Sequence, residues 1–370
     1  MTAAPANRIL VGALVDPWST GSLNPSQWSS LIQEARSANL LGSLAERLHQ
    51  AGMEAEPSAK RHLDGARQLG TRQRQSVLWE IHRLQIALSK LQVPIVLLKG
   101  AAYVISDQLI ARGRLFGDID ILVPRQSLGD VESQLMLNGW VTAKSSAYDQ
   151  QYYRKWMHEL PPMVHIHRGT VLDVHHNILP LTARSRPDSD KIIARSNVCT
   201  ISGLDVINIP SHEDLVIHSM THLVHEGELN NGLRDLYDID GMLRGFSGDS
   251  SFWKRLTNNS LTNDLAWPVL FGLILVQMVF STPVPAEVLA ELSARSGNAT
   301  PNNWLKAIYA KALPADRAEG PTTIANVARS FIYVRAHAMR MPIHMLARHL
   351  LIKAWMRMFA TPNEQNQRSH

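Results

Sequence analysis

The chain has 370 residues, 45% of them hydrophobic and 19% charged, which suits a globular protein of two or three compact units with no internal repeat or long low-complexity segment. A net charge of +5 is a mild basic excess that does not by itself argue for nucleic acid, and polyphosphate substrates fit it equally well. Cys199 is the only cysteine, which excludes an intrachain disulfide and fits a reducing, cytoplasmic compartment.

The first fifteen residues hold a short apolar stretch but no long hydrophobic region with a small-residue cleavage site. From 24 to 93 the pattern predicts helix. Trp28, Leu31, Ile32, Ala35, Ala38 and Leu41 recur at three- and four-residue steps, with Asn24 or Ser26 as the cap. Glu56-Pro57 interrupts the pattern. A second helix follows to about Lys90, with Val77, Leu78, Ile81, Leu84 and Leu88 as its apolar face. The character changes at 93–100, where Pro94 opens an apolar run that suits a buried strand ending in Lys99-Gly100. A helix follows, then a Gly- and Arg-containing loop, then a second strand over 118–123 and an amphipathic helix over 127–138. Residues 164–178 predict two short strands around Arg168-Gly169-Thr170. From Ser211, a cap candidate followed by acids, the chain turns helical again. The apolar run 267–280 has 14 residues, short of the roughly 20 that a membrane span needs, and predicts a buried helix rather than a transmembrane segment. Residues 322–360 carry six Arg or Lys and no acid. The sequence thus predicts an α+β fold: a helical region over 1–90, a small α/β core over 91–210, and a helical region over 211–370.

The chemistry concentrates in the middle region. Asp118 and Asp120 flank Ile119 at the head of a strand. Strand alternation puts both carboxylates on one face, about 7 Å apart at Cα, and Ile119 on the other. Two carboxylates so placed can share divalent cations, and Mg2+ favours oxygen ligands together with substrate phosphates. The plainer reading of an Asp-x-Asp pair is a solvated strand end. Upstream, Gly100 allows close backbone approach, the helix after it offers free N–H groups, and Lys99 offers an ammonium, all of which suit phosphate. An ordinary strand-to-helix turn accounts for Gly100 equally. Downstream, Asp173 projects with His175, opposite Leu172 and Val174, and would complete a carboxylate triad or serve as a structural or surface acid.

The run from Leu97 through Lys99-Gly100, Arg114 and the Asp118-Ile119-Asp120 strand, followed by Leu172-Asp173-Val174-His175, resembles the bacterial uncharacterised nucleotidyltransferase family within the polymerase-beta-like nucleotidyltransferase superfamily. The resemblance extends over about 25–290 and includes His218, His222 and the Arg234-to-Asp238 stretch. The turn departs from the superfamily's usual Gly-Ser or Gly-Gly, and Asp118 lies 18 positions after Gly100, a longer spacing than usual. What the resemblance implies is a mixed-sheet catalytic core between helical subdomains. It further implies two-metal transfer of a nucleotidyl group from a nucleoside triphosphate, ATP among the candidates, to an acceptor hydroxyl or phosphate. Asp118, Asp120 and Asp173 would hold two Mg2+ ions, and Asp173 could take the acceptor's proton. Lys99, the Gly100 backbone and Arg114 would hold the phosphates, with His175 beside them. The acceptor is open: a small molecule, peptide, protein or RNA. The oligomeric state is open too.

Other readings stand beside this one. The fold could serve as a nucleotide- or partner-binding module without catalysis. The basic region, with Leu350, Trp355, Met356 and Phe359, could meet RNA or an anionic membrane, or could simply pack on the core. His218 and His222, one helical turn apart, have a zinc-ligand spacing but lack an adjoining glutamate, and a polar cleft wall is the plainer role. Arg234 and Asp238, at the same spacing, could face the active site together with His222, and a helix-surface ion pair is the plainer reading.

Overall fold

The computed structural model describes residues 9–143, 147–201, 206–296, 302–314 and 320–341. Four helices come first: α1 (Ile9–Val15), α2 (Pro25–Ser37), α3 (Leu41–Gln50) and the long α4 (Pro57–Leu88). Asn24 caps α2 in a reciprocal capping box with Gln27. The helical pattern running from Trp28 to Leu41 is broken at Asn39, whose φ of 55° is a left-handed turn that Asn tolerates better than most residues. Leu31, Ile32, Ala35, Leu44, Leu48, Ile81 and Leu84 form the buried seam of this region.

The middle of the chain supplies β1 (Val96–Leu97), α5 (Lys99–Ile105), β2 (Asp118–Leu122), α6 (Leu128–Leu137), β3 (Trp140–Thr142), α7 (Ala147–Trp156), β4 (Met163–His165), β5 (Val171–His175), α8 (Ser189–Ala194), β6 (Asn197–Cys199) and β7 (Ile207–Ile209). The strands form one seven-stranded mixed sheet in the order β3-β4-β5-β2-β1-β7-β6. The expected strand over 93–100 shortens to two residues, because the chain leaves the sheet at Lys99 with a φ of 44° to start α5. The strands around Arg168-Gly169-Thr170 form as expected, and their turn is tied to α4. Glu80 accepts from Arg168 Nε at 2.9 Å and from Thr170 Oγ1 at 2.6 Å.

The last region packs α9 (His212–His225), α10 (Gly232–Phe246), α11 (Phe252–Thr262), α12 (Ala266–Phe280), α13 (Ala286–Arg295), α14 (Asn303–Ala312) and α15 (Thr323–Arg340). Ser211 caps α9 as its position suggested, accepting from Asp214 N–H. The apolar run becomes α12, buried on nearly every side, and no helix among the described residues is long and apolar enough to cross a membrane. The basic region is described only as far as Met341, so Leu350, Trp355, Met356 and Phe359 lie outside the described residues. Its three described arginines turn inward. Arg329 donates to the Ala312 and Pro314 carbonyls, Arg335 donates to Val224 O and lies over the Trp267 ring, and Arg340 pairs with Glu226.

The loop between α5 and β2 is pinned at the backbone. Gly113, at φ 73°, lies between Gly42 of α3 and Gly70 of α4. A Cβ on Gly42 would sit 2.1 Å from the Gly113 carbonyl oxygen, and one on Gly70 would sit 2.6 Å from Gly113 Cα. No side chain fits at these contacts.

Candidate active site

Parallel pairing of β2 and β5 sets Asp120 opposite Asp173 and Asp118 opposite Val171. Alternation along each strand then places Asp118, Asp120, Asp173 and His175 on one face, while Ile119, Leu172 and Val174 point into the core. The three carboxylates and the histidine singled out from the sequence therefore meet. Asp118 is exposed at the strand's mouth and Asp120 is fully buried.

Asp120 is the most heavily bonded of the set. Lys99 Nζ donates to its Oδ1 at 2.7 Å, and His175 Nε2 lies 3.0 Å from the same oxygen. Burial alone would raise the Asp120 pKa, but Lys99 and His175 outweigh it and hold the carboxyl below its ordinary range. Lys99 and His175 are held reciprocally on the charged side: burial disfavours each cation, and the neighbouring carboxylates overcome it. Asp173 behaves oppositely. Burial and the nearby Asp120 and Glu159 charges push its carboxyl up to about 7, and its buried Oδ1 has no hydrogen-bond partner. Asp118, exposed at the strand's mouth but set among protein groups that partly desolvate it, is also raised, by that desolvation and by Asp120.

Lys99, Asp118 and Asp120 open onto a cavity of about 430 Å³ walled on one side by these residues with Gly100, Arg114 and Gly117, and on the other by α9 and α10, while Asp173 and His175 lie behind Asp120 and outside its lining. Its lining carries six carboxylates (Asp118, Asp120, Glu226, Glu228, Asp235, Asp238) and three permanent cations (Lys99, Arg114, Arg234). A second cavity of about 390 Å³ shares Gly117 and Asp118 and is lined further by Gln73, Ser76, Trp79, Glu80 and Arg168. Trp79 is 52% exposed, with the Arg168 guanidinium 5.6 Å from its ring centre. A larger cavity, about 670 Å³, lies elsewhere and has no titratable side chain in its lining.

Arg114 lies at the cleft, but its charge is committed. Nε donates to Asp238 Oδ2 at 2.9 Å in a buried pair, and the guanidinium lies between the Tyr103 and Phe116 rings. This corrects the expected Arg234–Asp238 surface pair: Asp238 is buried against Arg114, and Arg234 bonds to Asp235 at 2.8 Å. Gly100 has a packing reason as well, since a Cβ there would meet Phe116 Cδ1 at 2.6 Å and Arg114 Nη1 at 2.9 Å. His222 lines the cleft and reaches Glu226 at 3.3 Å, while His218 is buried behind it. Burial, with Lys99 adding, lowers both, His218 to about 3. Among the described residues no third ligand joins the pair, so their zinc-ligand spacing is not used.

Three acids of the cleft, Glu226, Glu228 and Asp235, were not singled out from the sequence, nor were His158 and Glu159, which lie beside His175. The Met-His-Glu-Leu-Pro-Pro stretch that holds the last two has no period or motif. Only its antiparallel return along the end of β5, a bridge between Glu159 and His175, brings them in. No curated protein matches the sequence. A family model described as uncharacterised nucleotidyltransferase matches residues 24–281, covering sheet, carboxylates and cleft, and the chain belongs to that family.

Proposed function

We propose that the chain is a Mg2+-dependent nucleotidyltransferase that moves an NMP group from a nucleoside triphosphate to an acceptor hydroxyl or phosphate. The observation that carries this reading is the pairing of Asp120 with Asp173 across adjacent parallel strands, with Asp118 two residues away at the mouth of a carboxylate-rich cavity. A triphosphate cannot enter a lining with six carboxylates and three cations unless further cations accompany it. The residues fit divalent metal: the donors are oxygens, Asp173 Oδ1 is buried without a partner, and two carboxyls are raised by like charge and burial. Bound Mg2+, two ions on this reading, would neutralise phosphate charge and hold the attacking and leaving oxygens.

The chain's own groups do the rest. Asp118, Asp120 and Asp173 are the ligands. Lys99 fixes Asp120 and, at the cleft wall, faces the phosphates together with the Gly100 backbone. Arg114 acts mainly through Asp238 and the ring stack, shaping the wall. His175 holds Asp120 Oδ1 from behind. Asp173, directly across the strand pair from Asp120, is the carboxylate that would receive the acceptor's proton. The acceptor would enter from the second cavity, which shares Asp118 and Gly117 with the first and is lined by Trp79 and Arg168.

One observation favours a second reading, a nucleotide-binding module without catalysis: Lys99 Nζ already occupies Asp120 Oδ1 as a counter-ion. Calorimetric titration of the four NTPs with Mg2+, comparing wild type with the Asp118→Asn/Asp120→Asn double variant, separates the two. Mg-dependent binding of one NTP that disappears in the variant supports the transferase. Binding that ignores both carboxylates and Mg2+ favours the module, and no binding of any NTP ends both.

A further inference from the structure

Behind the carboxylate face, the 157–160 segment runs antiparallel to the end of β5. Leu160 N–H donates to Val174 O at 2.9 Å and His176 N–H donates to His158 O at 2.8 Å. This pairing sets His158 and Glu159 beside His175, and one ligand atom from each residue lies within 4.8 Å of the others. His175 is 3% exposed, and its two ring nitrogens have unlike surroundings. Nε2 faces Asp120 Oδ1 at 3.0 Å. Nδ1 faces Glu159 Oε2 at 3.4 Å and has no hydrogen-bond partner. His158 Nδ1 is likewise buried and unpartnered, and His158 Nε2 lies 4.0 Å from Glu159 Oε2.

That arrangement is poor as a hydrogen-bond network and good as a ligand set. Nε2–H donates to Asp120, and Nδ1 faces a carboxylate oxygen across 3.4 Å, too far for a hydrogen bond. Nδ1 and Oε2 need a cation between them, either a proton in a poor contact or a metal ion. A four-coordinate ion with bonds of about 2.1 Å spaces its ligand atoms about 3.4 Å apart. The His175–Glu159 separation already has that value, and the other separations, all within 4.8 Å, close by at most about 1.4 Å. Two imidazoles on one tetrahedral ion hold their ring centres about 5 Å apart, and those of His158 and His175 are 5.2 Å apart.

We propose that His158, Glu159 and His175 form a transition-metal site, selective for Zn2+ over Mg2+ by its two nitrogen donors. It adjoins the Asp118/Asp120/Asp173 oxygen site, since a His175 ring nitrogen also lies within 4.8 Å of Asp120 and Asp173, but it does not depend on the transferase reading. The ion takes the place of a proton on His175 Nδ1 and fixes the other proton on Nε2. Asp120, His175 and the ion then form a carboxylate–histidine–metal relay in which a buried ion orients a carboxylate of the cleft. The same ion ties the 157–160 segment to β5. Side chains of His158 and Glu159 that are 17% and 16% exposed give the ion a way in and leave a fourth position for water.

The test uses the full chain, stripped with chelator, then equilibrated with one molar equivalent of Zn2+ in excess Mg2+ and analysed for bound metal. Parallel loading with Co2+ reads coordination number from its visible spectrum. The expected result is one Zn2+ per chain and a four-coordinate cobalt spectrum, both kept in Asp118→Asn. In Glu159→Gln and His158→Ala zinc affinity drops at least tenfold and the cobalt spectrum is lost. Glu159→Gln is near-isosteric and guards against a His158→Ala chain that fails to fold. Wild type without stoichiometric zinc, zinc that ignores Glu159 and His158, or zinc that leaves with Asp118→Asn overturns the proposal. Mg-dependent NTP binding is measured separately, so either idea can fail alone.

Discussion

The buried Arg114–Asp238 pair joins the loop before β2 to α10 across the cleft, and Asp238→Ala isolates what that join is worth. Asp238 is 3% and Arg114 10% exposed at the side chain, so deleting the carboxylate leaves a guanidinium with little water and no counter-charge. Removing one partner of a buried pair costs roughly 3–5 kcal/mol. Arg114 keeps two aromatic faces, Tyr103 at 5.7 Å and Phe116 at 5.1 Å, each contributing about 0.5–1 kcal/mol or more when desolvated. Asp238 Oδ1 also lacks a partner in the wild type, so part of its desolvation cost is already present. The lower end, about 3 kcal/mol, is the expected loss. It would be measured as a shift of the denaturant midpoint at unchanged slope, followed by tryptophan fluorescence. The Arg114→Met/Asp238→Leu double variant should recover most of it, because two apolar side chains leave no unpaired charge. A loss below about 1 kcal/mol in Asp238→Ala, or a double variant worse than the single, would refute the account of this pair as a mutually dependent buried ion pair.

Further outcomes follow from the same geometry. Asp173, raised to about 7 from a usual 3.8, binds its proton more tightly folded than unfolded. Its stabilising contribution is therefore full below pH 4 and fades as pH rises through 7, while cations gain access to the ionised carboxylate. Mg2+ affinity should climb between pH 6 and 8 in wild type and stay flat in Asp173→Asn, and equal slopes would count against Asp173 as a ligand. His218 and His225, lowered by burial to about 3 and about 4, bind protons better unfolded. Stability should drop as pH falls from 6.5 toward 4, by up to about 1.4 kcal/mol per pH unit for each histidine. Denaturation midpoints at pH 7 and pH 5 check this, and His218→Met should flatten the slope. Gly100→Ala forces Phe116 and Arg114 to move and should cost about 1–3 kcal/mol. It should weaken NTP binding as well, and an unchanged affinity in calorimetry would remove Gly100 from the phosphate wall. Glu80→Ala frees Arg168 and Thr170 together. Faster amide exchange over β4 and β5, with the N-terminal helices unchanged, is the expected signature.

The carboxylate face was legible in the sequence because a strand's period of two is rigid. Once β2 and β5 are strands, Asp118, Asp120, Asp173 and His175 must share a side, and only the register of two strands remains to be set. The helices were legible for the same reason at a period near 3.6, as the caps at Asn24 and Ser211 illustrate. The shortest strands were not. β3, β6 and β7 have three residues each, too few for any period to declare itself, and β7 joins the sheet through β1, more than 100 residues earlier. The pairing of charges was equally hidden. Arg234 and Asp238 stand at a spacing that favours an ion pair, yet Asp238 is claimed by Arg114, which is 124 residues away in sequence and comes from another element. Local spacing ranks the partners available on one helix and says nothing of those delivered by tertiary packing. Glu159 and His158 were invisible for that reason too.

The glycine contacts at Gly42, Gly70 and Gly113 give the cleft an unusual kind of reference point. Most walls of a binding site are made of side chains, which yield by a rotamer here and a methylene there. The loop that bears Arg114 and leads to Gly117 and Asp118 is gauged against peptide groups, with no compliant layer between. The N-terminal helices thus act on the cleft as a jig does on a workpiece. A displacement of α3 or α4 is handed on undamped to the guanidinium and to the outermost carboxylate, so whatever seats those helices also sets the aperture.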